Sequence, residues 1–224
     1  MTAELDPEVA AHIGDSYPHN LDYSVRKGKL KPSFKLWRRF RRLRRLYPDT
    51  RGDLLDLSSC KGFFVLEAAQ HPTCKRAMGI DIHEPDLRAS RAVAKHLKLV
   101  NARFEELTLP KLATGIEYFD GAFESVLLIN TYPYLFLGSE RSESHVPDHR
   151  KLFEYLAMVT SERLIFSNRV EFSTLPRHIQ KRAKDLKLDG EYNPASIRDA
   201  AQEFFHLREE RSLGRIPLWV LSPR

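Results

Sequence analysis

The period of apolar and polar positions changes several times along the chain, and each change marks an element. Residues 1–32 hold no sustained period and carry Pro7, Pro18 and Pro32 as breakers, which predicts an irregular stretch. Ser33 then stands as an N-cap after Pro32. Leu36, Phe40, Leu43 and Tyr47 follow at helical spacing, with Trp37 beside them and arginines between. Residues 33–47 therefore predict an amphipathic basic helix, closed by Pro48, with one face packed on the main domain.

Beyond it the runs shorten. Residues 53–58 predict a strand, and 62–70 are apolar nearly all round, as in a buried helix. A second strand over 77–82 leads into a helix opened by Pro85 and running to about Lys98. A third strand covers 102–107, and a fourth covers 123–130 with the continuous apolar run of a central parallel strand. A helix over 149–159, a strand over 163–167 and helices near 175–186 and 196–205 follow. Strands over 206–211 and 216–221, turning around Gly214, close the chain as a hairpin. Strands alternating with helices predict an α/β fold with a mostly parallel sheet, helices on both faces and an antiparallel C-terminal hairpin. Ligands of such sheets bind outside the carboxyl ends of the strands.

Composition narrows the class. A length of 224 residues, 42% hydrophobic and 29% charged, suits one α/β domain with a small extension. The expected division is an N-terminal extension with the basic helix, 1–50, serving as lid or acceptor contact, and a main domain, 51–224. Cys60 and Cys74 supply neither a disulfide framework nor metal-ligand spacing, so reduced thiols in a cytoplasmic protein are expected and no metal is. No apolar run approaches the roughly 20 residues of a membrane span. The net charge of +6 is concentrated in Lys27, Lys29, Lys31 and Lys35 and in the arginines from Arg38 to Arg45. Such a segment attracts nucleic acid, anionic membrane or an acidic substrate, or is a solvated helix face.

Four segments carry candidate chemistry. Asp56-Leu-Ser-Ser-Cys-Lys-Gly62 joins the first strand to the buried helix. Gly79-Ile-Asp-Ile82 ends the second strand with a carboxylate able to accept two hydroxyl hydrogen bonds. Arg103-Phe-Glu-Glu-Leu107 offers Glu105 and Glu106. The fourth strand ends at Asn130, followed by Thr-Tyr-Pro-Tyr134.

In order and spacing these segments resemble the class I S-adenosylmethionine (SAM) dependent methyltransferases, which have a Rossmann-like three-layer fold. The resemblance covers roughly Gly52 to the C-terminus. It implies that Asp56, Ser58, Ser59, Cys60 and Gly62 line the methionine end of SAM, although Ser58 and Cys60 stand where glycine is usual. It further implies that Asp81 binds the ribose, with Ile82 beside it, and that Glu105 or Glu106 reads adenine. Asn130 falls at the polar position beside the transferred methyl, and Asn130 and Tyr132 face the acceptor as the catalytic pair. Tyr23, Trp37, Tyr134 and His145 are the expected acceptor contacts, and His145 or His149 is a candidate general base. A small-molecule acceptor is the leading expectation. RNA of the tRNA type, held by helix 33–47, and a non-catalytic protein that keeps the fold are the alternatives.

Overall fold

Pro7, a breaker by expectation, opens a helix instead. In α1 (Pro7–Asp15) it occupies the first turn, where no amide donor is needed, and the Asp6 side chain accepts from the amides of Glu8 and Val9. The computed structural model describes residues 4–47, 52–140, 145–214 and 216–224, in two compact units, Met1–Leu107 and Thr108–Arg224.

In the first unit α1 is followed by β1 (Tyr23–Arg26) and β2 (Lys29–Pro32), an antiparallel hairpin. Its two-residue turn, Lys27-Gly28, has both residues left-handed, at φ 51° and 70°, as a turn matched to strand twist requires. Alternation places Tyr23, Val25 and Leu30 on one face and Arg26, Lys29 and Lys31 on the other. The expected irregular stretch is thus a helix and a hairpin. Helix α2 (Phe34–Leu43) starts at Ser33, whose hydroxyl accepts from the Leu36 amide, and buries Leu36, Phe40 and Leu43. A turn of 3-10 helix extends it to Leu46. The expected stop at Pro48 and the expected boundary at 50/51 lie outside the described residues.

Three parallel strands complete this unit: β3 (Asp53–Asp56), β4 (Arg76–Asp81) and β5 (Ala102–Glu106), in the order β5-β4-β3. Helix α3 (Phe63–Ala69) joins β3 to β4, and α4 (Glu84–His96) joins β4 to β5. Phe63, Phe64, Val65, Leu66, Ala68 and Ala69 of α3 are all buried, as the unbroken apolar run predicts. Each of its four large side chains contributes about 1.5–3 kcal/mol of transfer energy, before ordering costs.

The second unit runs α5 (Leu109–Thr114), β6 (Phe123–Ile129), α6 (Tyr132–Leu137), α7 (His149–Val159), β7 (Thr160–Ser167), α8 (Arg177–Asp185), α9 (Pro194–Phe204), β8 (Phe205–Leu213) and β9 (Ile216–Pro223). Strands β6 and β7 are parallel, and the final hairpin adds β9 antiparallel to β7, giving β6-β7-β9-β8. Trp219 of β9 stacks on Phe166 of β7, its cross-strand partner, at 5.0 Å. The strands of both units belong to a seven-stranded, mostly parallel sheet with a C-terminal antiparallel hairpin, the Rossmann-like architecture expected. Among the described residues, no helix is long and apolar enough to cross a membrane.

Candidate functional site

The loop after β3 is drawn tightly against β4. The Ser59 amide donates to the Ile80 carbonyl at 3.0 Å, and the Gly62 amide donates to the Ser59 carbonyl at 2.8 Å. The chain turns through left-handed conformations at Cys60, φ 48°, and Gly62, φ 74°. A Cβ on Gly62 would lie 2.6 Å from Ser90 Oγ, so only glycine fits there. Gly79, inside β4, has a matching role: a Cβ on it would lie 2.6 Å from the Cβ of Ser59. A loop short of glycines approaches the sheet because the glycine is in the strand it approaches.

Two aspartates stand at the strand ends. Asp56 is 4% exposed. Burial pushes its carboxyl up to about 7; the Ser58 amide opposes this, Asp81 adds to it, and Arg39 opposes it. Asp81 Oδ2 accepts from the Cys60 amide at 2.9 Å, while Oδ1 accepts from Ile82 and His83 at 2.8 and 3.1 Å. A carboxylate accepts about four hydrogen bonds, so Asp81 ties the loop to β4 and keeps capacity for a ligand hydroxyl. Ile82, next to it, is an exposed aliphatic side chain. The β4–β5 register sets Glu106 opposite Asp81, whereas Glu105 lies opposite Ile80 and its carboxylate pairs with Arg103 at 2.6 Å. The Ser59 hydroxyl is buried and has no hydrogen-bond partner among the described residues. Asp56, Ser58, Ser59, Cys60, Gly62, Asp81 and Ile82 are therefore brought together at the carboxyl ends of β3 and β4.

Lys61 behaves differently from its neighbours. Its side chain is 0% exposed, and its ammonium donates to the Ser16 carbonyl and to Asp22 Oδ1, each at 2.5 Å, with the Ile13 carbonyl at 3.5 Å. Tyr23, an expected acceptor contact, is buried and donates its hydroxyl to the Lys61 carbonyl at 2.8 Å. A second fastening centres on Asp86 of α4, which meets His12 Nε2 at 2.7 Å, His83 Nδ1 at 2.9 Å and the Cys60 thiol at 3.4 Å. Burial alone would raise the Asp86 pKa, but these partners outweigh it and hold it below the ordinary value. The same partnership works on Cys60 in reverse: burial, then the negative charges of Asp86 and Asp81, push its thiol up. Cys60 is therefore a neutral thiol donor at physiological pH rather than a nucleophile. The residues before α2 are thus bolted to the loop. Trp37 lies apart from Tyr23, 41% exposed on the outer side of α2.

In the second unit, β6 is followed directly by Asn130, which is left-handed at φ 58° and leaves its side-chain carbonyl buried with no hydrogen-bond partner among the described residues. Ser167 Oγ, at the end of neighbouring β7, is in the same condition. Asn168, missed in the sequence, organises the turn. Its Oδ1 accepts from the Thr131 and Tyr132 amides at 2.7 and 2.9 Å, capping α6, and its Nδ2 donates to Leu128 at 2.8 Å. This cap starts α6 directly after the strand, and it turns Tyr132 inward. Tyr132 is 0% exposed and packs on Phe153 and Phe166, with its hydroxyl 2.7 Å from His149 Nδ1. His149 Nε2 faces the Glu191 carbonyl at 3.2 Å. A carbonyl only accepts, so Nε2 carries the proton and Nδ1 accepts from Tyr132. Burial lowers the His149 pKa against the opposing effects of the Glu191 carbonyl and Asp148, which keeps the ring neutral. Both groups are occupied by each other, in contrast to an acceptor-facing tyrosine. Tyr134 is half-buried, with its ring 6.4 Å from that of His178, and His145 is half-buried in the segment before α7.

No family model and no curated protein matches the chain. Solved structures do. The PH0226 protein from Pyrococcus horikoshii OT3 is similar over 97% of both chains, with a TM-score of 0.62 and 20% identity. EvdMO1 matches 83% of this chain and 40% of its own, with a TM-score of 0.54 and 19% identity. WbdD matches 84% of this chain and 34% of its own, with a TM-score of 0.56 and 20% identity. The chain thus spans well under half the length of those last two. The N-terminal domain of EvdMO1 has been crystallised with SAH bound and in the presence of SAH and D-fucose, at TM-scores of 0.50 to this chain. At 20% identity or below, these likenesses are of fold: they share the Rossmann-like α/β architecture.

Proposed function

We propose that the chain binds SAM at the carboxyl ends of β3 and β4 and catalyses transfer of its methyl group to a small-molecule acceptor. The observation that carries this reading is the shared use of Asp81. One carboxylate ties down the first loop and still has capacity for a ribose hydroxyl, as the fold's cofactor site requires. The unpartnered Ser59 hydroxyl and the glycine-backed approach of the loop fit the methionine end of the same ligand. Asp56, raised to about 7 by burial, fits a cationic group, because binding one would release its proton and restore a charge pair. Ile82 offers an apolar surface for a base, and Glu106 is the better placed of the two glutamates to read it.

SAM supplies an activated methyl carbon, so the protein's work is alignment, exclusion of water and management of a proton. Within the second unit, the side-chain carbonyl of Asn130 has no partner among the described residues and can accept from a hydroxyl or amino donor, and Tyr132 and His149 hold the turn that follows it. A small hydroxylated acceptor is in keeping with the D-fucose used with EvdMO1.

Calorimetric titration with SAM tests the proposal. Wild type should bind, and Asp81→Ala should lose about 10- to 150-fold in affinity, since a hydrogen bond to a charged group is worth about 1.5–3 kcal/mol. Absence of binding by wild type, or an unchanged affinity in the variant, contradicts it.

A further inference from the structure

We infer that the outer stripe of α2 is a binding surface for single-stranded nucleic acid. The inference stands apart from the methyl-transfer reading, because the stripe needs neither SAM nor an acceptor to bind.

At about 100° per residue, positions 34, 37, 38 and 41 fall on one side of the helix. They carry Phe34, Trp37, Arg38 and Arg41, opposite the buried stripe of Leu36, Phe40 and Leu43. Phe34 is 69% exposed, and its ring stacks with that of Trp37 at 6.2 Å and 24°. The Arg38 guanidinium lies 5.8 Å from the Phe34 ring centroid, and that of Arg41 lies 4.7 Å from the Trp37 centroid. Arg42, Arg44 and Arg45 are exposed beside them, and the chain from 34 to 47 contains no acidic residue. The outward face of the β1–β2 hairpin, with Arg26, Lys29 and Lys31, continues the same sign of charge.

This pattern is more specific than a solvated face. Solubility is served by mixed charges, whereas here like charges crowd together around two exposed rings. Guanidiniums in a row match a phosphate backbone, and flat rings flanked by guanidiniums match unstacked bases. A duplex would use the charges and leave the rings idle. An anionic membrane would draw on the apolar face of the helix, and that face is already buried in the protein.

The full chain carries its own reporter. It has two tryptophans, and Trp219 is 2% exposed, so quenching by an added base reports Trp37. A 12-nucleotide oligouridylate, titrated without SAM, should quench this emission. Each phosphate neutralised on a single strand contributes a slope of about −0.7 in log K against log salt, so five arginines allow a slope down to about −3.5. Arg41→Ser with Arg42→Ser should make the slope shallower by about 1.4. Trp37→Leu, followed by the anisotropy of a labelled oligomer, should weaken binding by about 5- to 150-fold, the range for loss of one stacked base. The positions are exposed, and unchanged circular dichroism verifies that the variants fold. Absence of quenching, equal affinity for a duplex of the same length, binding to phosphatidylserine vesicles but not to the oligomer, or insensitivity to both substitutions overturns the inference.

Discussion

The carboxyl ends of the strands in the two units are finished in opposite ways. In the first, β3 and β4 end in aspartates, one carrying a burial penalty and one with acceptor capacity to spare, and the Ser59 hydroxyl has no partner among the described residues. In the second, β6 runs into a closed aromatic knot of Tyr132, His149, Phe153 and Phe166, and the side-chain oxygens of Asn130 and Ser167 at the strand ends have no hydrogen-bond partner among the described residues. Unsatisfied polar groups cost stability unless something binds them. The first unit therefore holds polar groups that a ligand could satisfy, and the proposed SAM site rests on them. The second mostly bears the marks of a scaffold that fixes one or two polar groups in place.

The sharpest way to break this contrast is to unbolt the first unit. Lys61→Ala removes a buried ammonium and strands its acceptors. It should cost about 3–5 kcal/mol in urea denaturation, and limited proteolysis should then cut first before α2. A cost below 1 kcal/mol would mean that the N-terminal segment is held elsewhere.

Asp56 should give a somewhat smaller effect with a distinctive sign. Its folded pKa of about 7 exceeds the ordinary 3.8, so its favourable contribution is complete below pH 3.8 and is lost as pH rises through 7. Asp56→Asn should thus stabilise the free protein at pH 8 by up to about 4 kcal/mol relative to pH 4, and weaken SAM binding at the same time. Gain of stability without loss of affinity would remove Asp56 from the site.

The knot in the second unit should respond in the opposite direction. Tyr132→Phe leaves His149 Nδ1 without its donor and should cost about 1–3 kcal/mol, while SAM affinity stays unchanged. The smallest effect is in acid. The His149 pKa lies below the ordinary 6.5, so its contribution is present above that value and is lost as pH falls through and below it. Melting temperatures of wild type and His149→Gln between pH 8 and 5 should converge as pH falls. If they stay parallel, the histidine does not titrate in the folded state.

How much of this was legible depended on whether a residue's neighbours in sequence are also its partners. The parallel strands, α3, α4 and the final hairpin follow from local period, and they formed near the expected places. Ser33 capped α2 as its position beside Pro32 suggested. Pro7 was misleading, because a proline that breaks a helix interior is also the residue best suited to open one. The β1–β2 turn was hidden in Lys27-Gly28, where lysine takes a left-handed conformation that asparagine more often signals. The acidic and loop positions of the first unit fall together because β3, β4 and their loops are close in sequence. Lys61 was not, since lysines are almost never fully buried unless paired, and its partners lie 39 and 45 residues away. Tyr132 faces inward because Asn168, 36 residues on, caps α6, a contact that no local pattern reveals.

The central claim is that SAM is held by the loop of the first unit, and hydrogen exchange read by mass spectrometry tests it most directly. With saturating SAM, the amides of 57–62 and 82–83 should exchange more slowly, while those within the Tyr132–His149 knot should hold their rates. Binding of SAM with no added protection in 57–62, or protection confined to the second unit, would contradict the account.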